Sequence, residues 1–431
     1  MSIVLAAPRS SVNRPSDASL TSVEIFSGAG GLALGMEQAG FRHLALVEID
    51  KHACATLRAN SLRQAVDGHS WPVTQGDVTT FDYGEYVGRT TVLAGGAPCQ
   101  PFSLGGLQRG DVDRRNMFPQ VFRALRELTP PAFILENVRN LAGRSFRPYF
   151  DYILRQLEFP FHEPRPGEHW TGHKKRLDLL HDEPFLLDRD HRPTYAVDAA
   201  VLNAADFGVP QLRHRVFIVG YRRDLDLCPR LPSGSHSEDA LLFAQWVDKS
   251  YWAENRVTEA EIPEIPANVA TRVARLRFLG KPAEHRWRTL RDAINHDPST
   301  DQWCPLEEPP RDGHPAFQQH RLIEGARVYE GHTGNDLDRP AKTIKAGDHG
   351  NPGGEHVLVR PGHEHRYLSI RECARVQTFP DSYHFTGSRS ECMRQLGNAV
   401  PVLLGRRLAE AVRMQIEDRL QSLAHQAVAT G

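Results

Sequence analysis

The sequence predicts an α/β protein: a doubly wound, mostly parallel sheet interrupted by a second, smaller, loop-rich unit. Three observations carry that expectation. From Thr21 to about Asp151, short β-rich runs alternate with runs of helical period, as in strand–helix–strand units. The strand candidates SVEIF, HLALVEI, TVLAG and AFILENV are apolar almost without interruption, which suits parallel strands covered on both faces. From about Arg222 to about His365 the texture changes to Pro, Gly, His and charge with weak periodicity, and LSIRECARVQTF then restores regular structure.

Between the strands, GLALGMEQAGF, DKHACATLRAN and NMFPQVFRALRELTP hold apolar residues at helical spacing, and a Pro-Pro pair closes the last. AVDAAVLNA and RVFIVGY add a further strand pair. Ser369 and Glu372 have the spacing of a capping box, so a helix is expected to start there. VPVLLGRRLAEAVRMQIEDRLQSLAHQ reads as a closing amphipathic helix. The expected organisation is a flexible tail (1–20), a main unit (21–221), the insertion (222–365) and a return to the main unit (366–431). The opening has no basic region of the kind that starts a signal peptide, and no run approaches the length of a membrane span, so a cytoplasmic protein is expected.

A net charge of −1 over 431 residues says nothing for a polyanionic partner, because phosphate binding needs local charge. One stretch offers it: in RVARLRFLGKPAEHRWRTLR, Arg272, Arg275, Arg277, Lys281, Arg286, Arg288 and Arg291 interleave with Phe278 and Trp287. It reads either as a phosphate-facing patch or as a solvated helix face. The six cysteines are scattered with no CxxC, which argues against a disulfide framework and a structural zinc site and for a reducing compartment. His363, Glu364 and His365 have no evident further ligand and read as solvated loop, so no metal is expected.

Two segments carry chemistry. In GGAPCQPFS, Cys99 sits between two prolines directly after an apolar run. Pro98 restricts the backbone entering Cys99, and Gly95 and Gly96 remove bulk where another molecule would approach. A cysteine held in that way suits a nucleophile better than a packing residue. In EIFSGAGGLALG, Gly28, Gly30 and Ala33 fit the G-x-G-x-x-G/A spacing at a strand-to-helix turn, where backbone amides face a ligand. Glu48 ends the next strand at about the distance expected of a ribose-binding acid. The spacing equally allows a nicotinamide cofactor; two details tilt away from it, since the turn has no basic residue for a pyrophosphate and begins with Phe26 and Ser27, which could cover an adenosyl group. Asp77 of GDV reads either as an acceptor for an adenine amino group or as a turn residue.

Read together, EIFSGAGGLALG, VEID, GDV, GGAPCQPFS, LENV, VPQLRHRVFIVG and QLGNAVP stand in the order found in the DNA (cytosine-5) methyltransferases, and the chain resembles that family from about Thr21 to about Gly405. The resemblance implies a Rossmann-like fold that uses S-adenosylmethionine, and an insertion placed where the family keeps its target-recognition domain. It implies that the Cys99 thiolate adds to C6 of a cytosine, which must first be flipped out of the duplex. Glu136 of LENV would contact N3 and the exocyclic amine while protonated or sharing a proton. Arg215 would hold the cytosine O2, and Arg213 the geometry of the site. Cofactor contacts would come from Phe26, Gly28, Gly30, Glu48, Ile49, Asp77, Asn398 and Val400. If GNAVP and the glycine turn touch one cofactor, the C-terminal helix must pack back on the first unit. LGGLQRGDVDRRN resembles the family's mobile loop over DNA.

The implied partner is double-stranded DNA, with functional pairing to a restriction endonuclease and a monomeric protein. Two departures stand out. The stretch FPFHEPRPGEHWTGHKKRLDLLHDEPFLLDRDHRP is longer than compact bacterial members need, as a DNA-facing hairpin or a surface excursion. Ile49 replaces an aromatic often seen at the adenine-stacking position. The alternatives are tRNA methylation, disfavoured by the large insertion and by PFS after Cys99, and a non-catalytic DNA-binding regulator, disfavoured by an intact Cys99, Glu136 and arginine pair.

Overall fold

In the computed structural model, which describes residues 20–64, 70–98, 116–182, 192–326, 333–346, 354–359 and 365–429, the apolar runs form one seven-stranded sheet. Its strands are β1 (Thr21–Ile25), β2 (Arg42–Glu48), β3 (Val73–Gln75), β4 (Val92–Gly95), β5 (Ala132–Val138), β6 (Tyr195–Asn203) and β7 (His214–Arg222). Their order is β3-β2-β1-β4-β5-β7-β6, with β7 antiparallel to both neighbours and the other pairs parallel. Strand order reverses between β1 and β4, and a doubly wound sheet opens its ligand crevice at the carboxyl ends of such a pair. There Ile25 lies opposite Gly95, and a side chain on Gly95 would come within 2.5 Å of the Ile25 carbonyl oxygen.

Helices α1 (Gly31–Gln38), α2 (Lys51–Gln64), α3 (Phe118–Leu128), α4 (Arg147–Glu158) and α5 (Trp170–Asp182) belong to the first unit. The near-continuous apolar strands feed two cores. On β4 and β5, Leu93, Phe133 and Leu135 point to the face covered by Val121, Leu125 and Ile153 of α3 and α4. Val92, Ala94, Ala132 and Ile134 point the other way, onto Leu32 and Met36 of α1 and onto Leu404, Leu408 and Val412. Those last residues lie on the terminal helix, so it does pack back on the first unit.

The segment expected to be loop-rich holds four helices in its first part, and its described residues from 296 to 359 form no helix. It carries α6 (Glu238–Trp246), α7 (Ser250–Glu254), α8 (Ala267–Leu279) and α9 (Leu290–Asn295) among the described residues. Periodicity is weak there because apolar residues face two small cores at once: Leu241 joins Tyr251 and Trp252, while its neighbour Leu242 joins Val269, Val273 and Leu276. The basic run around α8 is mostly neutralised inside this unit. Arg272 pairs with Glu238 and Asp239, Arg286 with Glu254 and Asp292, Arg288 with Asp301, and Arg291 with Asp338.

In the long stretch after α4, the described part forms α5, not a hairpin. Its Trp170 packs between Tyr149 and Tyr152 of α4. The return comprises α10 (Ile370–Val376), α11 (Arg389–Asn398) and α12 (Val402–Ala429). The capping box forms as expected: the Ser369 hydroxyl accepts from the Glu372 amide, and the Glu372 carboxylate accepts from the Ser369 amide. The opening 1–19, read as a tail, lies outside the described residues.

Helices α1 and α12 approach closely enough to need glycine at the contact. A Cβ on Gly35 would stand 2.6 Å from the Arg406 amide nitrogen and 2.7 Å from the Val402 carbonyl oxygen, both backbone atoms that cannot swing aside. Gly35→Ala is therefore expected to cost about 1–3 kcal/mol through overpacking. Urea denaturation measures it, and a variant as stable as wild type would contradict the close approach.

Candidate active site

A cavity of about 500 Å³ opens at the reversal between β1 and β4, within the range usual for small-molecule sites. One wall is the turn after β1. Phe26 adopts φ of 57°, a left-handed conformation that costs a bulky residue roughly 1–2 kcal/mol. The flanking chain holds it there: the Ser27 amide donates to the Val47 carbonyl at 3.2 Å, and the Gly28 amide donates to Glu48 Oε2 at 2.8 Å. Glu48 Oε1 accepts from the Asp50 amide at 2.8 Å, so the carboxylate braces the turn it faces. Ile49 lines the same wall and is 65% exposed, leaving its side chain open to a ligand.

Two expected cofactor residues stand elsewhere. Gly30 takes φ of 82° at the start of α1, and a Cβ there would collide with Leu57 and the Tyr383 hydroxyl; it is not on the cavity wall. Its requirement is conformation and packing. Asp77 is exposed, off the wall, and caps a short turn by accepting from the Thr79 amide at 2.8 Å, which holds its carboxyl below the usual range.

The opposite end of the cavity holds Glu136, whose Oε1 lies 3.0 Å from Arg215 Nε. Burial raises the Glu136 carboxyl above its ordinary value, and the charges of Arg215 and Arg213 offset this only in part. Gly96 leaves the space in front of it open, since a Cβ there would come within 3.2 Å of Glu136 Oε2. Ala97 and Pro98 continue the wall. Cys99 itself lies outside the described residues, as do residues 100–115, which include the segment LGGLQRGDVDRRN up to Arg115, and His363 and Glu364. Among the described residues no three His, Cys, Asp or Glu side chains group as metal ligands.

Arg213 and Arg215 divide the work differently from what their alternation alone conveys. Arg213 is 1% exposed and donates to the carbonyls of Ile344 (3.1 Å), Gly397 (2.8 Å) and Ala399 (2.8 Å). It thereby anchors the GNAVP segment, and Asn398 and Val400 line the cavity from that segment. Further contributors escaped the sequence reading. Asn137, next to Glu136, donates through Nδ2 to the Ala97 carbonyl at 2.9 Å and so holds the chain leading to Cys99. Arg394 bridges α11 to Asp50 at 2.8 Å across the cavity. Glu24 lines the cavity from inside β1, its only advance sign being an acid within an apolar strand run.

This sheet, with an antiparallel β7 beside β5 and a cavity at the β1/β4 reversal, is that of a Rossmann-like methyltransferase. Comparison with known proteins is more specific. The family described as C-5 cytosine-specific DNA methylase matches residues 20–160 and 191–414, and the unmatched stretch between them contains α5. The Type II methyltransferase M.PspPI of Psychrobacter sp. (strain TA137) is 30% identical over 398 residues, covering 90% of this chain and 78% of that protein. The Type II methyltransferase M.Eco47II of Escherichia coli is 30% identical over 401 residues, covering 91% and 78%. The structure of the S. pombe Dnmt2 methyltransferase shares the fold at 16% identity, with a TM-score of 0.50 over 93% of this chain and 98% of that one. The chain belongs to the cytosine-5 DNA methyltransferase family, and its activity is sequence-specific DNA (cytosine-5) methylation.

Arg213→Leu should lower stability by roughly 3–5 kcal/mol, because it strands three buried carbonyls. Arg215→Ala removes one partner of Glu136 and no set of buried carbonyl bonds, so it should cost clearly less stability than Arg213→Leu and abolish most turnover. Chemical denaturation beside methyl incorporation separates the two; equal stability losses would refute the division.

Proposed function

We propose that this protein methylates cytosine in a specific duplex sequence through Cys99, Glu136 and Arg215, and that it protects DNA as the methylating partner of a restriction endonuclease. The observation that carries the reading is one cavity shared by the buried Glu136–Arg215 pair, the Phe26–Gly28 turn and the Asn398–Val400 segment. The type II designation of the relatives supports the restriction–modification role. No described helix is long and apolar enough to cross a membrane.

C5 of cytosine is too weak a nucleophile to take a methyl group unaided. Addition of the Cys99 thiolate at C6 pushes electron density onto C5 and N3. Pro98 lines the cavity, and Cys99 follows it in the sequence. Glu136, biased toward its neutral acid by burial, donates a proton or a strong hydrogen bond at N3 as charge develops there. Arg215 holds the acid in place and would donate to the ring O2. An extruded base needs the room that Gly96 leaves open.

The residues fit S-adenosylmethionine by charge. The cavity is lined by Glu24, Glu48, Asp50 and Glu136 and by three arginines, of which Arg213 is engaged with backbone carbonyls, Arg215 with Glu136 and Arg394 with Asp50, while Glu24 Oε2 is buried without a hydrogen-bond partner, as suits a cationic ligand. Glu48, Ile49 and the Phe26–Gly28 turn would hold the nucleoside, and Asn398 and Val400 would close the far side. When bound, the cofactor supplies an electrophilic methyl group on sulfur.

Duplex DNA carrying 5-fluorocytosine at the target should trap a covalent adduct with wild-type protein and S-adenosylmethionine, because fluorine blocks release of Cys99. Cys99→Ala should bind DNA and form none. Absence of adduct on the protein's own sequence, read by bisulfite sequencing of an expressing genome, would overturn the mechanism. Methyl transfer to tRNA in place of duplex DNA would overturn the substrate.

The acid form of Glu136 is present below its raised pKa and lost as pH climbs through it, so turnover should fall on the alkaline side. Glu136→Gln should remove that fall and lower kcat by roughly 10²–10⁴-fold. A pH–rate profile unchanged by the substitution would exclude the proton-donor role.

A further inference from the structure

The inserted unit holds a cavity of its own. It measures about 510 Å³, much the size of the active-site cavity, and the two share no lining residue. Two short parallel strands, β8 (His236–Ser237) and β9 (His285–Arg286), bring His236 opposite His285 on its wall. Helix α6 supplies an apolar floor, because Ala240, Phe243 and Ala244 are spaced at i, i+3 and i+4 and fall on one face. A space of this volume suits a small organic molecule rather than a bare ion.

Its polar groups divide into those already matched and those left over. Glu254 is paired with Arg286 at 2.8 Å and Asp301 with Arg288 at 2.5 Å, while the third lining acid, Glu284, is exposed. Lys281, exposed on the same wall, has neither an ion pair nor a hydrogen bond to its ammonium among the described residues. Arg288 Nε is buried without a hydrogen-bond partner, 3.7 Å from Asp292 Oδ2, which costs on the order of 1–3 kcal/mol. The His236 and His285 rings lie 5.3 Å apart. Burial, and after it the charges of His285, Arg288, Arg407 and Arg286, push the His236 ring down to about 4. The charges that bear most on that ring are all positive, so an anion seated beside it is attracted from several sides at once.

We propose that this cavity binds a 5′-phosphorylated nucleoside, with the phosphate at the His236–His285 pair and the base against Phe243. A phosphate monoester brings about two negative charges and three acceptor oxygens. That suits a wall offering imidazole, guanidinium and ammonium donors together better than a carboxylate does. Phe243 and its alanine neighbours give the base an apolar surface to lie on. The paired arginines contribute field, and the unpaired Lys281 contributes the free charge. The same chemical unit reaches the protein either as a free nucleotide or as the 5′-phosphorylated end of a DNA strand. This site stands apart from the methyl-transfer cavity and asks nothing of Cys99, Glu136 or the cofactor.

Isothermal titration of the full chain with thymidine 5′-monophosphate, thymidine and inorganic phosphate tests this. Wild-type protein should bind the nucleotide roughly ten- to a hundredfold more tightly than either fragment, with or without S-adenosylhomocysteine present. Lys281→Glu should weaken nucleotide binding about tenfold or more, and Ala283→Trp, which puts bulk into the cavity from an exposed lining position, should abolish it. Equal affinity of wild type for nucleotide and thymidine overturns the proposal whether or not any variant folds, as does phosphate binding as tightly as the nucleotide. Competition by S-adenosylhomocysteine, or nucleotide binding unchanged in both variants, places the ligand elsewhere and overturns it too. A thymidine oligonucleotide with a 5′-phosphate, set against its 5′-hydroxyl form, separates the sources: a preference for the phosphorylated oligonucleotide over the mononucleotide assigns the site to DNA ends, and the reverse assigns it to free nucleotide.

Discussion

The Arg213 guanidinium is the joint at which three distant stretches of chain meet. It stands just before β7 and donates to carbonyls 131, 184 and 186 residues further along, at Ile344, Gly397 and Ala399. A buried charge is tolerated only where hydrogen bonds saturate it, and removing its partners costs far more than the net gain from making them. The stretch of the insertion at Ile344, the end of α11 and the start of the sheet's antiparallel pair are therefore locked in one relative position. Because Glu136 and Arg215 lie on the neighbouring strands, that lock also sets the depth of the cavity in which they meet.

Small residues make the lock possible. A side chain on Gly31 would strike the Val400 carbonyl, and one on Gly397 would strike the backbone at Ala346. The glycine turn near the start of the chain and the GNAVP segment near its end are thus pressed together by backbone-to-backbone contact. Tyr383 adds a direct tie, donating to the Ala29 carbonyl at 2.6 Å. Close packing on this scale excludes water from the cavity floor. The same exclusion raises the Glu24 and Glu136 carboxyls, so the property that suits Glu136 to act as an acid follows from how the walls pack.

The inserted unit follows another logic. Most arginines of its basic run are spent on carboxylates within the unit, with Asp292 fully buried between Arg286, Arg288 and its own helix cap at Thr289. Arg375 of α10 reaches across to the carbonyls of Ile294 and Cys304, fastening this unit to the return segment. A charge run in sequence therefore said little about the surface. What decided the matter was where the opposite charges fell, and those lie tens of residues away in Glu238, Asp239 and Asp338.

What the sequence determined by itself was local. The strands of the main sheet, the capped start of α10 and the long terminal helix were legible because alternation, helical spacing and caps act over a few residues. The order of the motifs was enough to point to cytosine chemistry and to Glu136 and Cys99. Helices α6 to α9 were not legible, because their apolar residues serve two small cores and blur the period. Gly30 matched a spacing yet is occupied with packing, and of the two readings open for Asp77 the turn is the one its hydrogen bond shows. The resemblance already gave Arg213 the site's geometry and Arg215 the base; only the tertiary structure could show which carbonyls Arg213 anchors, that Arg215 pairs with Glu136, and that Glu24 Oε2 faces the cavity without a partner. Such distinctions depend on which distant backbone closes over a side chain, and no pattern within the strand itself encodes that.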